Sequence, residues 1–159
     1  MAKTSAGLLL WRRAPSGGDG AGAVQVLLGH PGGPYFARKD DGSWSVPKGE
    51  YVPGEEPLAA AYREFAEELG IEPPAGDPVP LGHAKGTGGK VLTAWAGEGE
   101  IDATTTRSNT FELEWPPRSG RMQDFPEIDR AAWLPVDEAR TKLVKGQVPL
   151  LDRLLTILA

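Results

Sequence analysis

Cysteine is absent from all 159 residues, which excludes disulfides, zinc–thiolate centres and a cysteine nucleophile. Histidine is nearly as scarce. His30 and His83 lack metal-ligand spacing, and neither is assigned a role. Long apolar runs are missing too. Residues 8–11 are too few for a signal-peptide core and run into Arg12-Arg13, and no stretch is long enough to span a bilayer. The expected location is therefore cytoplasmic, with no membrane partner. Positive charge is in deficit, with 17 Lys and Arg against 22 Asp and Glu for a net charge of −5. That balance argues against a stable nucleic-acid partner held by bulk electrostatics. An anionic small molecule stays open, because a bound cation inverts the local sign.

Glycine and proline, by contrast, are plentiful at 21 and 15 residues, so turns are many. No repeat is visible and no linker separates two cores, so residues 1–159 read as a single domain. Residues 6–12 and 24–28 read as strands joined by a Gly/Ser-rich loop over 15–22, and a second loop over 30–42 leads to Trp44-Ser45-Val46-Pro47. Residues 78–84 and 90–96 read as strands around a turn at 86–89, and residues 111–115 alternate as a half-buried strand does. A short apolar strand over 131–134 precedes a helix over 136–145. Residues 147–158 form a second amphipathic stretch with Leu150, Leu151, Leu154, Leu155 and Leu158 on its apolar side. That stretch packs on its own core or on a partner, which leaves monomer and homodimer open. Trp95, Trp115 and Trp133, at strand positions, read as core. Strands interleaved with helices indicate an α/β layer architecture.

The densest chemistry lies between residues 49 and 71. Pro53-Gly54 makes a turn, Glu55 and Glu56 suit a helix N-terminus, and Pro57 suits its first turn. Leu58, Ala61, Phe65 and Leu69 recur at three- and four-residue spacing, so this helix docks an apolar stripe, with the acidic residues off it. Gly70 ends the helix, and Pro73-Pro74 prevent its resumption. Glu64 and Glu68 stack one turn apart with Glu67 beside them, an arrangement that repels and destabilises the helix. A hard divalent cation reverses that sign, since Mg²⁺ takes oxygen ligands. A solvated acidic face explains the cluster less well. Glu68 has no Lys or Arg four residues later, and Arg63 with Glu67 is the weaker helix order.

The whole run, Gly49, five residues, Glu55, seven residues, then Arg63-Glu64-Phe65-x-Glu67-Glu68-x-Gly70-Ile71, resembles the Nudix box, with all nine constrained positions filled. Phe65 is a soft departure, aromatic where an aliphatic residue is more usual. The resemblance extends through Pro47-Lys48-Gly49 and the late Phe125–Ala139 stretch, and covers most of the chain. It implies an α/β fold, the Nudix-type α/β/α sandwich around a mixed β-sheet. The implied activity is divalent-metal-dependent hydrolysis of a phosphoanhydride bond in a nucleoside diphosphate linked to another group. NTPs and dinucleoside polyphosphates are examples of such substrates. The implied cofactor is Mg²⁺ or Mn²⁺, and the implied partner is a phosphorylated small molecule.

By the same resemblance, Glu64 and Glu68 are the principal metal ligands, Glu67 ligates directly or through water, and the backbone carbonyl of Gly49 joins them. Arg63 orients the carboxylates, and Glu55 is a ligand or a loop brace. Which glutamate is the general base stays open. Lys48, beside a turn glycine, is either a point charge for a substrate phosphate or a solvent-exposed loop lysine. The Trp44-x-x-Pro47-Lys48-Gly49 lead-in resembles that of Nudix hydrolases of dinucleoside polyphosphates and diphosphoinositol polyphosphates. The Ser108–Arg121 segment resembles a bacterial subgroup of NTP pyrophosphohydrolases. There Arg118 and Arg121 either clamp phosphates or balance an acidic surface, and Glu127 is either a late-recruited metal carboxylate or an ordinary surface glutamate. An intact box favours an enzyme over a catalytically silent nucleotide-sensing module.

Overall fold

The computed structural model describes residues 4–14, 23–74, 76–86 and 89–159. The Gly/Ser-rich loop expected over 15–22 lies outside the described residues, as does half of the 86–89 turn. The elements run β1 (Thr4–Arg13), β2 (Val24–Pro31), β3 (Lys48–Glu50), α1 (Pro57–Leu69), β4 (Val79–Lys85), β5 (Val91–Glu98), β6 (Thr110–Glu114), β7 (Met122–Pro126), β8 (Ile128–Pro135), α2 (Val136–Lys142) and α3 (Val148–Leu158).

β1 organises the molecule. One of its edges runs parallel to β5, from Thr4 opposite Val91 to Trp11 opposite Glu98. The other edge is shared. Its last residues pair with β2, while Ser5, Ala6 and Gly7 pair with β3. The sheet order is β4-β5-β1-β2-β8 with β3 on the side of β1, a mixed sheet in which only β1 and β5 are parallel.

Alternation along β1 and β2 assigns the two faces. Leu8, Leu10 and Leu27 pack with Phe65 and Leu69 of α1, whereas Leu9, Val26 and Leu28 pack with Ala139 of α2 and Leu150, Leu151 and Leu154 of α3. This is an α/β/α sandwich around a mixed sheet, as the sequence implied. The leucines of α3 close on the chain's own core, with Leu150, Leu151 and Leu154 fully buried.

Three departures from the expected elements have physical reasons. α2 stops at Lys142 because Leu143 turns extended and bridges Trp44, whose side chain is core. The alternating strand at 110–114 does not join the central sheet. It pairs with β7 as a separate hairpin, and Phe111 and Leu113 are half-buried as the alternation implied. Trp95 and Trp133 pack against the α1-side core, but Trp115 sits on the hairpin, edge-on to Tyr35 at 5.3 Å.

Candidate metal and phosphate site

α1 starts without a side-chain cap, on Pro57, and ends where Gly70 takes φ 69° and returns its N–H to Ala66. A side chain at Gly70 would collide with the Arg107 carbonyl, so only glycine fits this end. The segment after β5 docks here. Arg107 N–H donates to Leu69 O at 2.8 Å, and Asn109 N–H donates to Glu67 O at 2.9 Å. The Asn109 carbonyl then accepts the Glu127 N–H at 2.9 Å. Satisfying the helix's last carbonyls thus delivers Glu127 to the acidic cluster.

The carboxylates differ sharply in environment. The side chain of Glu67 is 42% exposed and that of Glu64 14%, while Glu68 is 5% exposed. The expectation that all acidic residues leave the apolar stripe is therefore corrected: Glu68 is buried beside Phe65 and Leu69. Its Oε1 accepts the Lys48 N–H at 2.7 Å, tying α1 to β3. Burial pushes the Glu68 carboxyl up to about 7. The nearby Lys48 charge and its backbone N–H oppose this, and Glu127 and Glu64 reinforce it. Glu64 is raised as well, by burial first, with Arg63 opposing and Glu67 and Glu127 adding repulsion. Glu64, Glu68 and Glu127 are thus within electrostatic reach of one another, and Glu64 also feels Glu67.

Arg63 braces the group. It donates to Glu55 at 2.8 and 3.0 Å, to Glu64 at 2.8 Å and to Glu67 at 3.2 Å. The guanidinium's hydrogen bond holds Glu55 below the usual carboxylate range, and Glu55 in turn leads in raising Arg63. Glu55 is a loop brace here. Gly49 lies against Glu64 so closely that a Cβ would fall 2.0 Å from the carboxylate. Only glycine lets backbone and carboxylate oxygens share that space.

The donor set suits a hard divalent cation: all oxygen, partly buried and mutually repelling. Among the described residues, no three acidic or imidazole side chains form a ready-made cage. Mg²⁺ does not need one, since it is held by one or two carboxylates with waters and substrate phosphates.

Other residues singled out in the sequence fall elsewhere. Lys48 lines a cleft shared with Lys39, Lys90 and Gln147, and neither Glu127 nor any glutamate of α1 lines it. Arg118 and Arg121 sit at the exposed turn of the β6–β7 hairpin, Arg118 with φ 62°, and neither lines that cleft. Two residues that the sequence did not mark are structural determinants of the site. Gln147, 1% exposed, accepts the Val46 N–H at 2.9 Å and donates to Ser45 Oγ at 3.0 Å, gripping the backbone two residues before Lys48. His30, fully buried, spans the Asp129 carboxylate at 2.8 Å and the Lys39 carbonyl at 2.6 Å. Neither had a signal, because its partners lie in remote segments.

A mixed sheet between helices, with an arginine-braced acidic helix against the preceding strand, defines the class: an α/β protein that sets carboxylates beside cationic side chains. The chain belongs to the NUDIX domain family, whose model matches residues 4–154. It is 32% identical over 144 residues to an 8-oxo-(d)GTP phosphatase of Mycolicibacterium smegmatis, an alignment covering 87% of this chain. The match spans only 37% of that relative's length. In fold it is similar to a C. elegans Ap4A hydrolase in a binary complex, with a TM-score of 0.67, 19% identity and 97% of each chain covered. It is also similar to the NUDIX domain of Shewanella oneidensis NrtR complexed with ADP ribose, with a TM-score of 0.65, 14% identity, and 100% and 90% of the chains covered.

Proposed function

We propose that the protein hydrolyses a phosphoanhydride bond in a nucleoside diphosphate linked to another group, with Mg²⁺ or Mn²⁺ at the α1 carboxylates. The observation that carries this is Glu68. A carboxylate buried to 5% exposure, with one backbone N–H and a nearby lysine as its compensation, is held in a state that a cation would relieve. The cation supplies charge stabilisation at the phosphoryl oxygens and acidifies water.

The protein's own groups supply the rest. Glu64 and Glu68 are the principal ligands, and Glu67, Glu127 and the Gly49 carbonyl complete the oxygen set. Arg63 fixes the carboxylates so that little reorganisation is needed when substrate binds. Lys48 meets a substrate phosphate. The names of the relatives, an 8-oxo-(d)GTP phosphatase and an Ap4A hydrolase, fall within this reaction class and support it.

The test is phosphate release from nucleoside triphosphates, diadenosine polyphosphates, ADP-ribose and inositol pyrophosphates. Each is assayed with Mg²⁺ or Mn²⁺ and with added pyrophosphatase to reveal pyrophosphate, beside Glu68→Gln. Metal-dependent turnover of one class is expected. Its loss in the variant should exceed the roughly 10–100-fold typical of removing an outer-shell partner. Nucleotide binding without turnover on any substrate would instead establish a sensing module.

A further inference from the structure

The chain leaves the central sheet after His30 and returns beside it, where Gly29 and Ser45 exchange backbone bonds at 2.9 and 3.0 Å. His30 stands at the neck of this loop, fully buried, its ring edge-on to Trp44 at 5.3 Å. Opposite it, β8 carries one residue more than β2. His30 faces Arg130 and Pro31 faces Ile128, which leaves Asp129 as a bulge. The bulge changes the phase of the strand, so that Ile128 rather than Asp129 joins Ala131 and Trp133 on the α1 side. Asp129 is thereby turned towards the histidine.

Both ring nitrogens of His30 face oxygen. Nδ1 lies 2.8 Å from Asp129 Oδ1, and Nε2 lies 2.6 Å from the Lys39 carbonyl. A carbonyl only accepts, so Nε2 carries a proton. An ionised carboxylate only accepts, so Nδ1 carries one as well. The Arg130 guanidinium is 3.4 Å from Nδ1 and 3.4 Å from Asp129 Oδ1, long on both counts beside the 2.8 Å contact. Arg130 also acts on Asp40, whose carboxylate accepts from Trp44 Nε1 and Lys142. The ring and Arg130 are thus met by Asp129 from β8 and Asp40 from the loop.

We propose that His30 is a buried imidazolium that pins the loop over 31–44 to the β8 bulge, and that it is the positioning residue for Glu127. The proposal rests on the reading of Glu127 as a metal carboxylate and adds what sets its approach. Glu127 lies two residues before the bulge. Its carbonyl accepts the Gly32 N–H at 3.0 Å, and its N–H donates to the Asn109 carbonyl at 2.9 Å. Gly32 lies two residues after His30, so close to β7 that a Cβ would fall 1.9 Å from the Pro126 carbonyl oxygen. The His30–Asp129 pair therefore closes a ring, residues 30–32 on one side and 127–129 on the other, in which Glu127 has little freedom. A neutral ring donates only once, so either the loop or the bulge would come loose. An apolar residue would fill the space with neither bond. A charge taken fully out of water is tolerated only with its partners in place, which fixes one arrangement of the two segments.

The experiment compares wild type with His30→Gln and Asp129→Ala by nitrogen-15 NMR of the metal-free protein in chelator, with Mn²⁺ affinity measured separately. Asp129 is partly exposed, so its variant serves even where His30→Gln does not fold. Near neutral pH both His30 ring nitrogens should carry protons in wild type, and Nδ1 should lose its proton in Asp129→Ala. In both variants hydrogen exchange at the Gly32 and Glu127 amides should quicken about tenfold relative to amides paired between β1 and β5. A general loss of stability would quicken all of them alike. Mn²⁺ binding should weaken about tenfold in His30→Gln, although removing a positive charge would by itself strengthen it. A singly protonated ring in wild type, an unchanged exchange ratio, or Mn²⁺ bound as tightly or more tightly by His30→Gln would overturn the proposal. Failure of the hydrolase reading looks different: turnover is absent while the ring protons and the exchange pattern persist.

Discussion

Glu68 is where folding and chemistry pull in opposite directions. Its ordinary value of 4.5 rises to about 7 in the fold, so the folded protein holds this proton more tightly than the unfolded chain. A carboxyl raised in this way favours folding below about pH 4.5, and that contribution is lost as pH climbs through about 7. At about 1.4 kcal/mol per unit, the effect on the metal-free protein is at most about 3 kcal/mol. Glu68→Gln keeps the shape and removes the charge. In chelator at pH 8 the variant should melt several degrees above wild type, and the gap should close by about pH 5. Scanning calorimetry across that range measures it, and a variant less stable than wild type at pH 8 would show that the buried charge is already compensated. Gly49 shows the same economy of space. Its missing side chain is what lets Glu64 approach the backbone, and any larger residue displaces that carboxylate.

At the scale of elements, the site depends on three segments meeting: α1, the Trp44–Lys48 lead-in and the 107–109 segment. Gln147 fastens the second of these from the far end of the chain. Gln147→Leu keeps volume and removes both bonds, leaving the buried Val46 N–H without its partner. A loss of about 1–3 kcal/mol in urea unfolding is expected, with kcat falling more than KM changes, because Lys48 carries the bond to Glu68. Equal stability with unchanged kcat would show that the lead-in holds itself.

Much of this level was legible in the sequence. The strand at β1, the stripe and glycine stop of α1 and the leucines of α3 all stand where the sequence put them. β7 was not legible, because four of its five residues are exposed and it exists only by pairing with β6. The burial of Glu68 was hidden as well, since its partner is a backbone N–H twenty residues earlier, a contact without a residue signature. Glu127 was readable as a candidate only through the family resemblance; its approach is set by backbone bonds at Asn109.

For the whole molecule, the arrangement is a net charge of −5 with Glu64, Glu67 and Glu68 gathered towards the end of one helix and Glu127 brought to them. On the proposed reading, a cation at these carboxylates resolves that imbalance. The measurement that bears most directly on this account is Mn²⁺ binding followed by electron paramagnetic resonance at pH 8. Wild type is compared with Glu64→Gln, Glu68→Gln and, as a distant control, Glu114→Gln on the exposed hairpin. The account predicts that each α1 variant loses at least about 1.4 kcal/mol of Mn²⁺ affinity, a tenfold change, while the control binds as wild type does. Equal affinity in all four proteins would contradict it, because the cation would then sit somewhere other than the α1 carboxylates.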